Sequence, residues 1–241
     1  MTRSTYSPLT GLSLIAAFLL GILITQAGLI EPIAAYWEDI VFLSRQHMVL
    51  VAASGGAAIL IGIPVGIWLS RPRMERYAES IMQVFNIGTT IPTLAVIALS
   101  MTILGIGFAP AFFGLFVASL LPIVRNTYAG LLAVPPHLKE AATGMGMTGA
   151  QILWRVELPN ALYVIFSGVR TALAINVGTT PLAFLIGGGG LGELIFTGID
   201  LMDTGMLLAG AIPTAMLAVL VDFLTGQGQL RLIPKGVNPL R

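Results

Sequence analysis

Residues 135–159 read PPHLKEAATGMGMTGAQILWRVELP, a stretch rich in helix start and stop signals between two long apolar runs. The Pro-Pro pair at its start suits the first turn of a helix, where a backbone N–H has no partner anyway. Gly146 is a typical helix stop, because glycine tolerates the left-handed backbone conformation. Thr148 and Gln151 have the Thr-x-x-Gln spacing of a capping box. The stretch therefore predicts two short helices joined by a glycine turn.

The sequence on both sides of this stretch is too apolar for a water-soluble protein. Of the 241 residues, 56% are hydrophobic and only 10% are charged, whereas a typical soluble domain has about 25% charged residues. Six continuous apolar runs are long enough to cross a bilayer as helices, which takes about 20 residues. They cover residues 9–30, 48–69, 81–104, 108–124, 161–186 and 206–225. We predict an all-α membrane protein of about six spans, with one transmembrane domain over residues 1–241.

The basic residues lie almost entirely on one side of these spans. With a cytoplasmic N-terminus, ten of the twelve Lys and Arg fall in cytoplasmic segments. Arg170 lies within the fifth run, and only Arg45 is outside. Because cytoplasmic loops of membrane proteins are enriched in basic residues, we expect both termini and residues 135–159 to be cytoplasmic. The run 9–30 is longer than the apolar core of a signal peptide, so we expect an uncleaved helix there.

Composition and motifs exclude several classes of site. The chain has no cysteine, and His47 and His137 lie far apart, so we predict no metal site. A net charge of +1 gives no nucleic-acid footprint. Residues 187–192 read GGGGLG, but without a preceding strand this glycine run favours a turn over a dinucleotide site. No Walker motif occurs, so we predict no catalytic residue and no cofactor on this chain.

The stretch 135–159 also carries a motif. It contains Glu140-Ala141-Ala142, three residues, Gly146, nine residues, Val156, one residue and Leu158-Pro159. This pattern resembles the EAA motif of ABC-importer permeases, with Val in place of Ile. In that family the loop forms the coupling helix, which inserts into a groove of the cytoplasmic ATPase. The resemblance implies an ATPase-coupling role for Glu140, Ala141, Ala142, Gly146, Leu158 and Pro159.

Further stretches are similar to permeases for quaternary amines. They are NIGTTIPTLAV (86–96), LPIVRNTYAGL (121–131) and INVGTTPLAFLIGGGGLGELIFTGI (175–199). The resemblance implies a type I ABC importer permease of the bacterial cytoplasmic membrane that carries glycine betaine, carnitine or choline. It also implies a second permease subunit, the same or homologous, two ATPase subunits that bind ATP and Mg, and a periplasmic or lipid-anchored substrate-binding protein.

Two alternatives stay open on the sequence. Methionine-type permeases are similar around the glycine-rich segment, and a stand-alone secondary carrier or channel is the alternative class of protein. A proton-coupled carrier would need acidic residues at midplane depth, and the predicted spans offer none.

Uncharged polar side chains are concentrated in the third and fifth apolar runs. Such side chains usually face the interior of a helix bundle. There they either bond neighbouring helices or line a translocation pathway, and both interpretations remain open. The residues are Asn86, Thr89, Thr90, Thr93, Asn176, Thr179 and Thr180.

Two further expectations concern the edges of the spans. Residues 31–47 contain Tyr36 and Trp37, which suit a short helix lying at the membrane interface. Asp222, near the end of the sixth run, is expected to pair with Arg231 or another inside cation.

Overall fold

The computed structural model describes residues 30–233. Every regular element among these residues is helical, which confirms the predicted all-α fold. The predicted span 9–30 lies outside the described residues, except for its last position. The α-helices are α1 (Ile30–Ala35), α2 (Trp37–Leu69), α3 (Glu75–Thr90), α4 (Thr93–Leu104), α5 (Phe108–Leu132), α6 (Pro136–Gly144), α7 (Gly149–Ile152), α8 (Leu158–Thr179), α9 (Gly192–Asp200) and α10 (Thr204–Leu232).

Four helical stretches in this range are long and apolar enough to cross a membrane. They are α2, α5, the stretch Gly149–Ile186 that contains α8, and α10. The bent pair of α3 and α4 would make a fifth. Shorter elements connect them: 3-10 turns at Pro72–Met74 and Thr180–Ile186, and a π-helical turn at Leu153–Glu157.

The first described span starts earlier than the sequence suggested. Residues 31–47 do not form a separate interfacial helix, because α2 begins at Trp37 and runs without a break for 33 residues. Residues 37–47 contain no Pro or Gly, and Ile40, Leu43 and His47 are all buried within the protein. Only the one-and-a-half turns of α1 remain distinct from the span.

The predicted span 81–104 is two helices rather than one. α3 and α4 meet at a bend of 97°. Pro92 causes the break, because its ring disfavours the helical conformation in the residue before it. Ile91 accordingly has φ −76° and ψ 123°, which is extended backbone. A short chain segment therefore turns sharply where a straight span was expected.

Three other spans differ from their predicted bounds. α5 continues past residue 124 to Leu132, and α10 covers 204–232 rather than 206–225. α8 begins at Leu158 and ends at Thr179, after which the chain tightens into the 3-10 turn before the glycine run.

Asp203 starts α10, since its side chain accepts a hydrogen bond from the Met206 N–H at 3.0 Å. That bond, with a hydrogen bond from the Tyr36 hydroxyl, holds the pKa of Asp203 below its usual range.

The core is formed where α2, α5 and α8 cross. Ala58, Ile123, Val169 and Ala172 are buried together there. Small residues let the backbones approach closely, as is common between membrane helices. A Cβ on Gly66 would lie 2.9 Å from the carbonyl oxygen of Val124 in α5. The close packing of α2 and α8 against α5 therefore depends on glycine and alanine residues.

An ion pair joins α8 to α10. The Nε and Nη2 atoms of Arg170 donate to the two carboxylate oxygens of Asp222, both at 2.5 Å. Of the two expected partners of Asp222, Arg231 or another inside cation, the structure shows the second. Arg231 is a further nine residues along α10, more than two turns away, whereas Arg170 faces Asp222 from the neighbouring span.

We expect Gly66→Ala to lower the free energy of unfolding by about 1–3 kcal/mol, because the new methyl group forces α2 away from α5. The matched control is Gly56→Ala on the same helix, where an added Cβ meets nothing within 4 Å. Thermal unfolding in detergent measures both variants. Equal stability of the two would contradict the close approach of α2 and α5.

Candidate functional site

The loop between α5 and α8 has the predicted form. The N–H of Thr148 donates to Oε1 of Gln151 at 2.8 Å, and the N–H of Gln151 donates to Oγ1 of Thr148 at 3.4 Å. This is the expected capping box. Gly146 has φ +75°, the left-handed conformation expected at the turn. The prediction of two short helices joined by a glycine turn is confirmed by α6 and α7, and the capping box belongs to α7.

The motif residues of this loop fall into an outer and an inner group. Glu140, Ala141 and Gly146 are exposed, and a Cβ on Gly146 would meet no atom within 4 Å. Ala142 is buried, and Leu158 and Pro159 are half-buried at the start of α8. The loop therefore presents one side to its surroundings and packs the other on the spans.

Two exposed apolar side chains of the loop were missed by the sequence analysis. Met145 is 69% exposed and Trp154 is 70% exposed. The signal for Trp154 was its position between Leu153 and Arg155, outside the apolar face formed by residues 152, 153 and 156. The exposed side of the loop therefore carries two large apolar side chains beside its polar ones.

A buried acid was also missed. Glu157 is 7% exposed, and its carboxylate contacts Nη1 of Arg71 at 2.6 Å and Nζ of Lys139 at 3.5 Å. The signal was a charged residue flanked by apolar neighbours in the sequence VELP. Because the three residues are far apart along the chain, their meeting could not be deduced from the sequence.

The predicted pathway residues do not form one group. Asn176 is fully buried, and its Nδ2 atom donates to the hydroxyls of Ser54 at 2.9 Å and Ser119 at 2.7 Å. The hydroxyl of Thr180 donates to the carbonyl of Asn176 at 2.8 Å. These bonds link α2, α5 and α8 inside the bundle. Asn176 and Thr180 thus lie in a closed polar network.

The residues near the bend of α3 and α4 have a different setting. Thr89 and Thr93 line a cavity of about 190 Å³, together with Ile175 of α8. The cavity also touches α5 through Ala118. The Thr89 hydroxyl bonds the carbonyl of Asn86, whose own Oδ1 atom is buried without a partner. Thr89 and Thr93 therefore face open space, whereas Asn86 is not among the residues that line the cavity.

The two remaining threonines bond their own helices. Thr90 is exposed and its hydroxyl donates to the carbonyl of Ile87 at 2.7 Å. Thr179, half-buried at the end of α8, donates to the carbonyl of Ile175 at 2.9 Å. Neither hydroxyl is bonded to another span.

The glycine run forms a turn at the opposite end of α8 from the loop. Gly187, Gly189 and Gly190 all have positive φ. The side chain of Gln46 accepts a hydrogen bond from the Gly190 N–H at 3.1 Å, which fixes the turn to α2. A 3-10 turn precedes the run and α9 follows it, so the dinucleotide fold has no counterpart here. No cluster of potential metal ligands occurs in residues 30–233.

The chain is similar in sequence to permease proteins of known transport systems. The chain is 52% identical over 237 residues to the osmoprotectant import permease protein OsmY of Salmonella typhimurium, covering 98% of this chain and 100% of that protein. It is 34% identical to the glycine betaine/carnitine/choline transport system permease protein OpuCB of Bacillus subtilis, covering 84% of this chain and 93% of that one.

The fold is also that of a solved transporter. A chain of the MetNI methionine ABC transporter in an inward-facing conformation superposes with a TM-score of 0.72. The two chains are 24% identical, and the match covers 83% of this chain and 99% of the other. This likeness confirms the predicted type I permease fold.

Residues 62–232 match the family described as the binding-protein-dependent transport system inner membrane component. Such permeases are transport subunits that work with a binding protein and a partner ATPase, so the stand-alone carrier is the weaker alternative. The match covers well over half of the chain and includes the loop, the bent pair and the glycine run. The chain therefore belongs to the family of binding-protein-dependent transport system inner membrane components.

Proposed function

We propose that this chain is the transmembrane subunit of an ATP-driven importer for a compatible solute such as glycine betaine, carnitine or choline. The exposed, doubly capped loop that carries the motif supports the importer role. The solute class is supported by the names of the relatives, of which OsmY is similar over nearly the whole chain. Methionine is the weaker alternative, since it rests on a likeness of fold at 24% identity.

In this proposal, the loop is the docking surface for the ATPase. Glu140 and Ala141 face outward from α6, and Met145 and Trp154 add exposed apolar area. The capping box and the left-handed Gly146 keep this surface rigid, so that docking costs little conformational entropy. A rigid, partly apolar projection with one exposed acid suits a groove on a folded partner.

The buried members of the motif connect that surface to the bundle. Ala142 is small enough to pack fully against the protein, and Pro159 lies in the first turn of α8, where its missing N–H is tolerated. Leu158 packs with Leu131 and Ala161 in the cluster at this end of the spans. Movement of the docked loop would therefore reach α8 directly.

The distribution of charge supports a cytoplasmic position for this end of the molecule. Arg71 and Arg73 lie between α2 and α3, Arg76 lies in the first turn of α3, and Lys139 and Arg155 lie in the loop. Basic residues favour the cytoplasmic side. We place the chain in the bacterial inner membrane with both termini inside, a second permease subunit beside it, and two ATPase subunits below. A periplasmic or lipid-anchored binding protein would deliver the solute from outside.

The translocation pathway is proposed to run along the bend between α3 and α4. Thr89 and Thr93 are uncharged and line the cavity, and Asn86, Thr90 and Thr179 are the other uncharged residues assigned to the pathway. This uncharged wall, mainly apolar with the hydroxyls of Thr89 and Thr93, lets a quaternary ammonium group pass without a strong ion pair to retain it. Asn176 and Thr180 are assigned to helix packing, because their bonds are satisfied inside the bundle.

The cycle follows from a rigid-body motion of such parts. ATP and Mg bind to the partner ATPase, and closure of the two ATPase subunits draws the docked loops together. The spans attached to the loops then rotate and open the pathway to the outside. Hydrolysis resets the assembly.

Uptake measurements test the solute class. In membrane vesicles with the matching ATPase and binding protein, we expect ATP-dependent accumulation of labelled glycine betaine, carnitine or choline. Labelled methionine is the control and should not accumulate above background. Accumulation of methionine alone would contradict the proposed solute class.

Glu140→Lys tests the docking surface. Reversal of an exposed charge at the centre of an interface is expected to weaken ATPase binding about tenfold or more. Glu38→Lys is the matched control, because it makes the same change at an exposed position. Glu38 lies at the start of α2, whereas the loop lies near the end of α2. The measurement is recovery of the ATPase with the tagged permease from mild detergent. Equal recovery with both variants would refute the assignment.

Asn86→Ala and Asn176→Ala separate transport from packing. Asn86→Ala should reduce the transport rate with little change in unfolding temperature, since its amide oxygen has no partner to lose. Asn176→Ala should lower stability by about 1–2 kcal/mol, because it removes bonds to two other spans. Uptake and thermal unfolding are measured on both proteins. The reverse pattern would move the pathway to the interior of the bundle.

A further inference from the structure

We propose that Glu157 is a positioning residue that transmits movement of the coupling helix α6 to the spans α2 and α8. The inference rests on the proposed function, since it requires the loop to be moved by an ATPase. It concerns the unspecified position of the EAA motif between Val156 and Leu158, and it assigns Glu157 the mechanical link between loop and bundle.

The position of Glu157 makes such a link possible. It is the last residue of the π-helical turn and immediately precedes α8, so its backbone moves with that span. Its carboxylate contacts Arg71, which follows the end of α2, and Lys139, which belongs to α6. One side chain thus joins α2, α6 and α8, which are not consecutive residues of one helix but separate elements of the chain.

Each cation is also fixed to a second structure. The Nε atom of Arg71 donates to the carbonyl of Ile67 at 3.1 Å, and Nη2 donates to the Ser70 hydroxyl at 2.8 Å. The Nζ atom of Lys139 donates to the carbonyl of Leu131 near the end of α5 at 3.3 Å. Pulling on α6 therefore loads α5 and α8 together.

The two halves of this cluster differ in tightness. The contact between Glu157 and Arg71 is 2.6 Å, as short as a strong charge-assisted bond. The contact between Glu157 and Lys139 is 3.5 Å, beyond that range. The arrangement therefore ties α8 firmly to α2 and more loosely to α6. Small shifts of the docked helix can be followed without breaking the bundle.

Burial makes the carboxylate dependent on both cations. The Glu157 side chain is 9% exposed, whereas Arg71 and Lys139 are 28% and 32% exposed. A buried carboxylate requires paired charges, but partly exposed cations can be hydrated if the acid is removed. Neutralising Glu157 is therefore expected to leave a folded protein, which makes the inference testable.

The experiment uses the assembled importer in vesicles and measures solute molecules imported per ATP hydrolysed. We expect Glu157→Gln and Lys139→Met each to lower this ratio about fivefold or more, the scale of coupling between two sites. The ATPase should still co-purify. Lys139→Arg, which retains the charge, should keep the ratio near that of the unmodified importer.

Glu79→Gln on α3 is the matched control, since it makes the same chemical change at an exposed carboxylate. Its ratio should be unchanged. A merely structural role would reduce transport and ATP hydrolysis together with the amount of folded protein, leaving their ratio constant. A constant ratio in both Glu157→Gln and Lys139→Met would overturn the proposal.

Failure of the proposed function gives a different result. If the unmodified chain recovers no ATPase and shows no ATP-driven uptake, the importer assignment fails. If the unmodified importer couples normally and Glu140→Lys loses the ATPase, but Glu157→Gln keeps the normal ratio, only the role of Glu157 is refuted.

Discussion

The arrangement of the spans depends on the hydrogen bonds that the side-chain amide of Asn176 donates. One Nδ2 atom donates to Ser54 of α2 and Ser119 of α5, so a single side chain of α8 holds three helices at one point. In lipid there is no water to replace such bonds, and polar groups must find partners within the protein. The apolar contacts around them are non-directional, whereas these bonds fix how the helices are rotated against each other.

With that point fixed, α8 connects the loop that carries the motif, at its start, to the glycine run beyond its end. Toward one end its chain tightens into the 3-10 turn and the glycine run, which Gln46 anchors to α2. Its middle is joined to α10 by the ion pair of Arg170 and Asp222, and its other end begins directly after Glu157. A helix loaded at its start and held near its other end rotates as a unit. Rotation of this kind suits a protein whose two ends must act in turn.

The loop could be predicted from the sequence because its signals are local. The ion pairs and the buried polar network could not, because they join residues far apart along the chain. Capping requires residues three positions apart, so Thr148 and Gln151 carried their own evidence. The 97° turn after α3 was not predicted, because proline indicates a break without giving its angle. The partner of Asp222 lies 52 residues away and that of Glu157 lies 86 residues away. Hydropathy has no information about such pairs, nor about which polar residues of a span are buried together.

The separation of charged and uncharged polar groups has a physical reason. An ion pair at partial exposure near the end of a span costs little to keep, because water reaches its cations. In the proposed pathway, the same pair beside the cavity lined by Thr89 and Thr93 would attract or repel a cationic solute strongly at low dielectric. Uncharged groups such as Thr89 and Thr93 avoid that barrier, while charges at Glu157 can hold moving elements together. In the proposed mechanism, force and solute therefore follow separate routes through the bundle.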